Sequence, residues 1–422
     1  MTQLTRNDDL VPVHGGLDAP VDRSVPLSRR TAFLREAEGL VPVRVSRADV
    51  STVYRIADGA LSPLEGPMRA ALYHRVLKER SIERAGRSFA WTIPRSLPVS
   101  DAEAKRIARG DAVALQDDSG RTFAIVDDAE VFDWDKREYV ERVYYTDRFD
   151  HPGGRQVEQD PRTKLLGGEL RALPQPINPD YGEYMLSPRL ARALIRDRKW
   201  ERALAFQTRN PLHRAHEYAL VAGAERLTGA GHFTGVVLNP LVGELKGDDV
   251  PALMRMRTYK RLHDERLLGQ GDKDESIWRA AGYDLCEVFE LIGLDMKMFY
   301  GGPSEAVMHA IYRQNHGFSD LVIGRKHADA PFEDGSPIWG DFDAQEIFDD
   351  LPGHLAVTPC KIGFAAFYES LGRVDLTDDH PDEKPVSVSG TKVREQLKSG
   401  ERPDPRIMRP ETADLLIEAY RS

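Results

Sequence analysis

The segment ERALAFQTRNPLHRAHE, residues 201–217, joins a strand-like run to a dense polar cluster. ERALAF is typical of a short buried strand, and the residues from Glu217 onward carry apolar side chains at helical spacing. The polar cluster therefore falls on a strand-to-helix turn. Asn210 suits the helix N-cap and Pro211 the first helical position, which predicts His213 in the first turn and His216 just beyond it on the same side.

This turn has the composition of an anion site. Backbone N–H groups at a helix start, the positive end of the helix dipole, Arg209 and two imidazoles together suit a polyphosphate. The alternative is that the histidines only cap the helix or face solvent. Their spacing, three residues apart and directly after Arg-Asn-Pro, favours the functional interpretation.

Strand and helix patterns alternate on both sides of this segment. HFTGVVL precedes PALMRMRTYKRLHDE, MKMFYG precedes SEAVMHAIYRQNHG, and DLVIG follows. The alternation over about residues 180–345 predicts a parallel sheet covered by helices, in which ligands bind at the carboxyl ends of the strands.

The regions on either side of this alternating segment have different sequence patterns. Short β-rich runs such as RSFAWTI, DAVALQD and TFAIVDD, with a helical stretch MRAALYHRVLKER, predict a β-rich domain over about residues 20–175. The region from about residue 351 to 422 is short and carries two helical stretches, TKVREQLKSG and ETADLLIEAYRS.

Composition narrows the possible functions. The chain has 422 residues, 41% hydrophobic and 30% charged, as expected of a globular protein of two or three domains. Its 58 basic and 68 acidic residues give a net charge of -10, so no global attraction to nucleic acid is expected and anions must be captured locally. No apolar run approaches the ~20 residues that span a bilayer, and the N-terminus lacks a signal-peptide core, which predicts a cytoplasmic protein without a membrane partner.

Three other segments offer ligands near predicted strand or helix ends. GRKHADAP contributes Arg325, Lys326 and His327, or is a solvated basic turn. LNPLVGELKGDDVP contains Lys246, and for at least one of its two aspartates at 248 and 249 capping of the next helix is the favoured role. SVSGTKVREQL places Thr391 before a helix that carries Arg394, which by itself is only a capping signal.

A long ordered set of motifs resembles the ATP sulfurylase, or sulfate adenylyltransferase, family. QTRNPLHRAHE resembles its nucleotide-binding signature, and HRAH resembles the HxxH element of the wider nucleotidylyltransferase fold. The other segments in family order are VHGGLDAP, ADGALSPLEGPM, HPGG, LLGGEL, GGPSEAVMHAIYRQNHG, DAQEIF and SVSGTKVR. The resemblance covers nearly the whole chain.

The resemblance implies an α/β protein with three parts. A β-rich PUA-like domain is expected over residues 1–178 and a Rossmann-like nucleotidylyltransferase catalytic domain over residues 179–350. A small C-terminal α/β domain is expected over residues 351–422.

The resemblance also implies the site residues. Gln207 and Arg209 would hold sulfate with the backbone at Ala328, while Thr208 and Asn210 touch the reacting phosphate; with Arg209 these two form the expected catalytic set. The ATP contacts expected are Gln207, Asn210, His213, His216, Asn239, Arg325 and His327, with Lys246, Lys326, Thr391 and Arg394 as further candidates. A sulfate oxygen would attack the α phosphorus in line with departing pyrophosphate, without a covalent enzyme intermediate.

Several residues depart from the family pattern. Asn239 stands where relatives commonly have histidine, Leu245 where they have threonine, Lys326 where they have aspartate and Asp329 where they have glycine. We expect Asn239 to offset part of the charge that Lys326 adds. Some relatives carry a cysteine-based zinc site in the C-terminal region, but only Cys360 lies there, so no protein-bound zinc or other metal is expected. Mg²⁺ is expected to arrive with ATP, since phosphate oxygens and water supply most of its ligands.

Three functions remain open at this stage. The first is synthesis of adenosine 5'-phosphosulfate and pyrophosphate from ATP and sulfate, by an expected homo-oligomer. The second is an adenylyltransferase for another oxyanion or a phosphonate-like acid. The third is a nucleotide-binding homologue without turnover.

Overall fold

The computed structural model describes residues 10–243, 250–386 and 389–421. Its N-terminal part is β-rich, as predicted, and contains a five-stranded sheet of order β1-β5-β6-β7-β4 beside the hairpin β2-β3. All pairs are antiparallel except β1 with β5. The strands are β1 (Val41–Arg44), β2 (Ser81–Arg84), β3 (Arg87–Ala90), β4 (Leu97–Val99), β5 (Val113–Gln116), β6 (Thr122–Asp133) and β7 (Lys164–Ala172).

Six helices accompany these strands. They are α1 (Arg30–Glu38), α2 (Arg47–Ala57), α3 (Ala70–Glu79), α4 (Asp101–Ala104), α5 (Lys136–Tyr144) and α6 (Pro152–Glu158). Local chemistry sets their starts: Ser100, for example, accepts from the Glu103 N–H while the Glu103 carboxylate accepts from the Ser100 N–H, a reciprocal capping box.

The central part is the parallel α/β unit that the alternation predicts. Its sheet has the order β10-β9-β8-β11-β12, and every neighbouring pair is parallel. The strands are β8 (Arg202–Thr208), β9 (Thr234–Pro240), β10 (Phe289–Leu291), β11 (Asp320–Ile323) and β12 (Thr358–Lys361). The helices are α7 (Pro188–Arg198), α8 (Arg214–Gly229), α9 (Ala252–Asp264), α10 (Glu275–Ala281), α11 (Gly302–His316) and α12 (Asp343–Glu346). Because β8 lies between β9 and β11, the polar cluster that follows it lies at the middle of the carboxyl edge.

Two features of this sheet differ from the sequence pattern. The strand predicted at MKMFYG, residues 296–301, is wrong: this segment is irregular, and the strand beside β9 is the earlier β10. Two of its backbone N–H groups, those of Phe299 and Gly301, are satisfied by a side chain, since they donate to the Glu305 carboxylate at 2.9 and 3.0 Å. The fifth strand, β12, lies beyond residue 350 in the sequence but pairs with β11.

The C-terminal part is a hairpin followed by two helices. These elements are β13 (Ala365–Tyr368), β14 (Arg373–Leu376), α13 (Gly390–Ser399) and α14 (Pro410–Arg421), and both predicted helices are present. The segment between them reaches the start of α8, where the Arg214 N–H donates to the Ile407 carbonyl at 2.9 Å. The Arg409 guanidinium also donates to Glu217 at 2.7 Å in a buried ion pair.

Helix α11 joins the N-terminal part to the central sheet. All fifteen of its residues are buried, so it has no solvent-facing side. Asn315 on this helix accepts from the His14 N–H at 3.0 Å and donates to the carbonyls of Ala60 and Ser62. Across the three described ranges, no helix is long and apolar enough to cross a membrane.

Candidate functional site

A cavity of about 500 Å³ opens at the carboxyl edge of the central sheet, beyond β8 and β11. This is the edge at which ligands of open α/β sheets bind. Ten predicted site residues line it: Gln207, Thr208, Arg209, Asn210, His213, His216, Arg325, Lys326, His327 and Ala328. The cavity therefore brings two sequence segments, 207–216 and 325–328, to one place.

Arg209 is the unpaired cation of this cavity. Its guanidinium lies over the Tyr300 ring, 5.1 Å from the ring centroid, and its Nη1 is buried without a hydrogen-bond partner. Among the described residues no carboxylate lies within 4.0 Å of it. The amide oxygen of Gln207 is also buried and unpaired. Since buried polar groups are normally satisfied, these atoms indicate a ligand site.

Thr208 and Asn210 are instead engaged in the turn. The Thr208 hydroxyl donates to the Asn210 carbonyl at 2.9 Å and accepts from the Asn210 N–H at 3.3 Å. The Tyr259 hydroxyl donates to the same carbonyl at 2.8 Å. These bonds hold the loop between β8 and α8 in one conformation.

The predicted helix start is displaced by three residues. Helix α8 begins at Arg214, and its N-cap is His213, not Asn210. Asn210 is occupied by the turn with Thr208, and the His213 ring takes the capping role because its Nδ1 accepts from the His216 N–H at 3.3 Å. Of the first three helical N–H groups, that of Arg214 donates to Ile407 and that of His216 to His213. Only Ala215, which lines the cavity, keeps an N–H for a ligand.

His213 and His216 form a stacked, uncharged pair. Their ring centroids lie 3.7 Å apart at an interplanar angle of 22°. Desolvation by the cavity walls, together with the neighbouring His216, lowers the pKa of His213 to about 3. Desolvation likewise lowers the pKa of His216 to about 4, although the residue as a whole is solvent-exposed. Because His213 Nδ1 accepts, the neutral ring carries its proton on Nε2 and can donate to a phosphate oxygen.

The second segment is a tight loop with two cations. Lys326 and Ala328 have φ values of +52° and +57°, in the left-handed region that non-glycine residues adopt at a cost. Arg325 lies 3.8 Å from the Phe364 ring centroid and 3.2 Å from the Asp341 carboxylate. The same carboxylate lies 3.4 Å from Lys326 Nζ. Asp341 therefore neutralises part of the charge that Lys326 brings to the loop.

Three predicted site residues lie away from the cavity, and a fourth falls outside the described residues. Asn239 pairs with Gln207 across β8 and β9, but its side chain is buried outside the cavity wall, where it donates to the Ile292 carbonyl at 2.8 Å and accepts from Arg313 at 3.4 Å. Thr391 and Arg394 are exposed on α13 and do not line the cavity. Lys246 lies outside the described residues, as do Leu245 and the two aspartates at 248 and 249.

A buried chain of groups behind His327 could not be recognised from sequence. His309 contacts Glu305 at 3.4 Å through Nε2 and His327 Nε2 at 2.9 Å through Nδ1. Burial alone would raise the pKa of Glu305, but the hydrogen bonds that its carboxylate accepts from His309 and from the N–H groups of Gly301 and Phe299 hold it below its ordinary value. Desolvation lowers the pKa of both histidines. With Glu305 ionised and both rings neutral, His327 donates from Nε2, and its Nδ1 remains an acceptor.

The signal for this chain was present but ambiguous. Glu305 and His309 are four residues apart on one helix face, a spacing that also suits an ordinary surface pair. Only the burial of α11 distinguishes the two cases. The remaining wall residues that sequence reasoning did not single out are small or apolar, and include Met298, Ala219, Gly363 and Phe364.

The cavity suits two anions and holds no metal cluster. The donors are Arg209, Arg325, Lys326, two neutral imidazoles and a helix N-terminus. The carboxyl group of Asp329 also lines the cavity, where burial raises its pKa and so favours its uncharged form. In residues 10–243, 250–386 and 389–421, no group of three His, Cys, Asp or Glu residues is placed to hold a metal ion. Cys286 and Cys360 are both free thiols. The expected absence of zinc stays a prediction.

Fold and site together define a nucleotide-binding α/β protein with an anion pocket at the edge of its sheet. Residues 182–419 match the family model ATP-sulfurylase, and residues 11–175 match the model PUA-like domain. The chain belongs to the ATP sulfurylase family.

Known proteins similar over the full length agree with this assignment. A protein of Pyropia yezoensis described as sulfate adenylyltransferase is 52% identical over 97% of both chains. One of Symbiobacterium thermophilum with the same description is 37% identical, over 97% of this chain and 96% of its own. The solved structure described as hexameric APS kinase from Thiobacillus denitrificans has a TM-score of 0.71 at 20% identity, covering 97% of this chain and 68% of that one. The last comparison bears on the fold alone.

Proposed function

We propose that this protein is a sulfate adenylyltransferase, which converts ATP and sulfate to adenosine 5'-phosphosulfate and pyrophosphate. The observation that carries the proposal is Arg209, a cation whose Nη1 is buried without a hydrogen-bond partner and which has no carboxylate partner in the described chain. Family membership and the full-length similarity to sulfate adenylyltransferases support the same reaction.

The geometry suits catalysis by positioning. ATP, carrying its Mg²⁺, would place its β and γ phosphates against His213, His216 and the start of α8, with Arg325 beside them. Sulfate would bind Arg209, Gln207 and the Ala328 N–H, which donates no hydrogen bond within the described residues. The sulfate oxygen then attacks the α phosphorus while Thr208 and Asn210 hold the loop that faces it, and Arg209 offsets the charge that develops between two anions.

The remaining expected ligands keep different levels of support. His327 lines the cavity and offers an acceptor, whereas Lys326 offers a charge shared with Asp341. Asn239 would act on ATP only indirectly, through the β8 edge that it pairs with. We keep Thr391 and Arg394 as candidates that would need α13 to approach the nucleotide, and Lys246 as a candidate outside the described residues.

A pyrophosphate-release assay tests the proposal. Purified protein is given MgATP with sulfate, phosphate or methylphosphonate, and the adenylylated product is identified by mass spectrometry. Sulfate-dependent release with formation of adenosine 5'-phosphosulfate is expected. Release with another acid only would favour the second function, and ATP binding without release under any condition would favour the third.

We further infer a cytoplasmic homo-oligomer with domains over residues 1–178, 179–350 and 351–422. The interface between the N-terminal part and α11 supports close packing of the first two domains. Sedimentation of the purified protein would measure the oligomeric state.

A further inference from the structure

A second, smaller cavity lies between the N-terminal sheet and the segment before α11. It measures about 60 Å³ and shares no wall residue with the catalytic cavity. One short segment nevertheless serves both cavities, because Lys297 and Phe299 line the small cavity and Met298 lines the catalytic one.

Arg95 is the decisive residue of this small cavity. It is only 2% exposed, and its guanidinium lies 3.9 Å from the centroid of the Phe299 ring. None of its three side-chain nitrogens has a hydrogen-bond partner. No carboxylate among the described residues lies within 4.0 Å of it. A buried guanidinium without any partner is costly, and native proteins normally provide one.

The carboxylates nearby are already occupied by other cations. Asp49 lies 2.7 Å from Lys297 Nζ and 3.6 Å from Arg162, and Asp160 lies 2.5 Å from the same Arg162. Glu305, the buried carboxylate on the far side of Phe299, accepts from two backbone N–H groups and contacts His309. Arg95 is therefore left as a cation without a counter-charge at contact distance.

Two further donors line the same cavity. The Trp134 indole N–H faces the Tyr73 hydroxyl outside ordinary hydrogen-bond geometry, and the Tyr73 O–H has no acceptor of its own. With the three nitrogens of Arg95, the unpaired groups of this cavity are donors, apart from the hydroxyl, which can play either role. Asp49 and Asp160 also line this wall, but both are paired with Lys297 or Arg162, so the groups left unpaired suit an anion and not a metal ion.

We propose that this cavity binds one small inorganic anion, a halide or a tetrahedral oxyanion, in contact with Arg95. A single water needs roughly 10–15 Å³ of such space, so 60 Å³ accommodates a small anion with a water but excludes a nucleotide. Water alone would satisfy the donors but leave the guanidinium charge uncompensated. The anion would tie the N-terminal sheet to the segment that leads into the catalytic cavity.

Thermal unfolding of the full chain tests this site with chloride as the probe. Sodium chloride is compared with the sodium salt of a morpholine-ethanesulfonate buffer at equal ionic strength, since that anion is too large for the cavity. The parent protein is expected to show a saturable rise in Tm of about 2–4 °C with chloride. Arg209→Ala, which alters only the catalytic cavity, should show the same rise, and Arg95→Met should show none. A rise in Arg95→Met equal to that of the parent overturns the proposal.

Crystals of the unaltered protein grown or soaked in bromide give an independent measurement that needs no variant. An anomalous peak in contact with the Arg95 guanidinium supports the site, and its replacement after transfer to phosphate shows that oxyanions share it. Bromide peaks confined to other places, with only water beside Arg95, overturn the proposal even if Arg95→Met fails to fold.

Discussion

Arg209 is placed by the turn after β8, and its guanidinium lies over the Tyr300 ring. Removing this side chain should therefore change the stability of the fold very little. Arg209→Ala should therefore lower kcat for sulfate-dependent pyrophosphate release by ~10²–10³, as the loss of one positioned donor typically does. Its Tm should stay within about 2 °C of the parent. Steady-state kinetics and thermal unfolding measure the two effects.

The control for Arg209 is a surface arginine of the same size. Arg137 is paired with Glu141 on α5, with 71% of its side chain exposed. Arg137→Ala should leave kcat unchanged. Near-parental turnover in Arg209→Ala would contradict the sulfate-site assignment.

The positive charge of Lys326 is compensated by a neighbouring residue. The structure favours Asp341, at 3.4 Å, over Asn239, whose side chain contacts Ile292 and Arg313 instead. In double-mutant cycles on kcat/KM for ATP, Lys326→Ala and Asp341→Ala should couple by about 0.5–1 kcal/mol, as partly exposed pairs do. Lys326→Ala and Asn239→His should be additive. If Lys326 couples to Asn239 and not to Asp341, then Asn239 compensates the charge of Lys326, as the sequence suggested.

At the start of helix α8, one residue both caps the helix and can donate to a bound phosphate. His213 Nδ1 caps the helix and leaves Nε2 to donate, so one ring has two separable roles. His213→Asn keeps an N-cap acceptor but shortens the side chain, so it should raise KM for ATP several-fold with little change in Tm. His213→Ala loses both roles and should in addition lose about 1 kcal/mol of stability.

Two measurements separate these roles. ATP titration calorimetry gives the affinity of each variant, and thermal unfolding without ATP gives its stability. Equal affinity for ATP in the parent and in His213→Asn would show that the His213 ring does not contact the phosphates. The low pKa of the ring, about 3, adds a further expectation: ATP affinity should not fall between pH 6 and 8 through loss of a His213 proton, since the free ring is already neutral.

Sequence patterns predicted most elements here because their periodicities are local. Strands β8, β9 and β11 and helices α8, α9 and α11 all coincide with predicted runs. The strand predicted at residues 296–301 failed because apolar alternation alone cannot show that Glu305 satisfies that backbone. The cap at His213 was missed because Asn210 is the better intrinsic cap and only the Thr208 turn removes it.

The candidate site, like the fold, could be predicted from the sequence only in part. The signature residues after β8 and the loop after β11 were predicted to converge, because parallel strands end at one edge. Asp341 and the chain from Glu305 to His327 were not, because their partners lie in segments that only folding brings together. Long-range pairing of charges leaves no local signature in a single sequence.

Buried histidines make the stability of the whole protein depend on pH. His14 and His316 are both buried, and desolvation lowers the pKa of each to about 4. At a pH below the ordinary histidine pKa of 6.5, each ring binds a proton in the unfolded state but not in the folded state. Each such ring therefore leaves stability unchanged above pH 6.5 and costs stability as the pH falls from 6.5 towards 4.

His14 gives the sharpest test of this pH dependence. Its Nε2 lies 3.0 Å from the Ala90 carbonyl, a bond that a glutamine amide can replace without titrating. His14→Gln should have a lower Tm than the parent at pH 8, because it loses ring contacts with Phe89 and Trp91. At pH 5 the parent alone has lost about 2 kcal/mol through this group, so the gap in Tm between the two should narrow. Val13→Ala, a buried neighbour without a titratable group, serves as the control and should keep a constant gap. A gap for His14→Gln that is equal or wider at pH 5 would show that His14 does not oppose folding in acid.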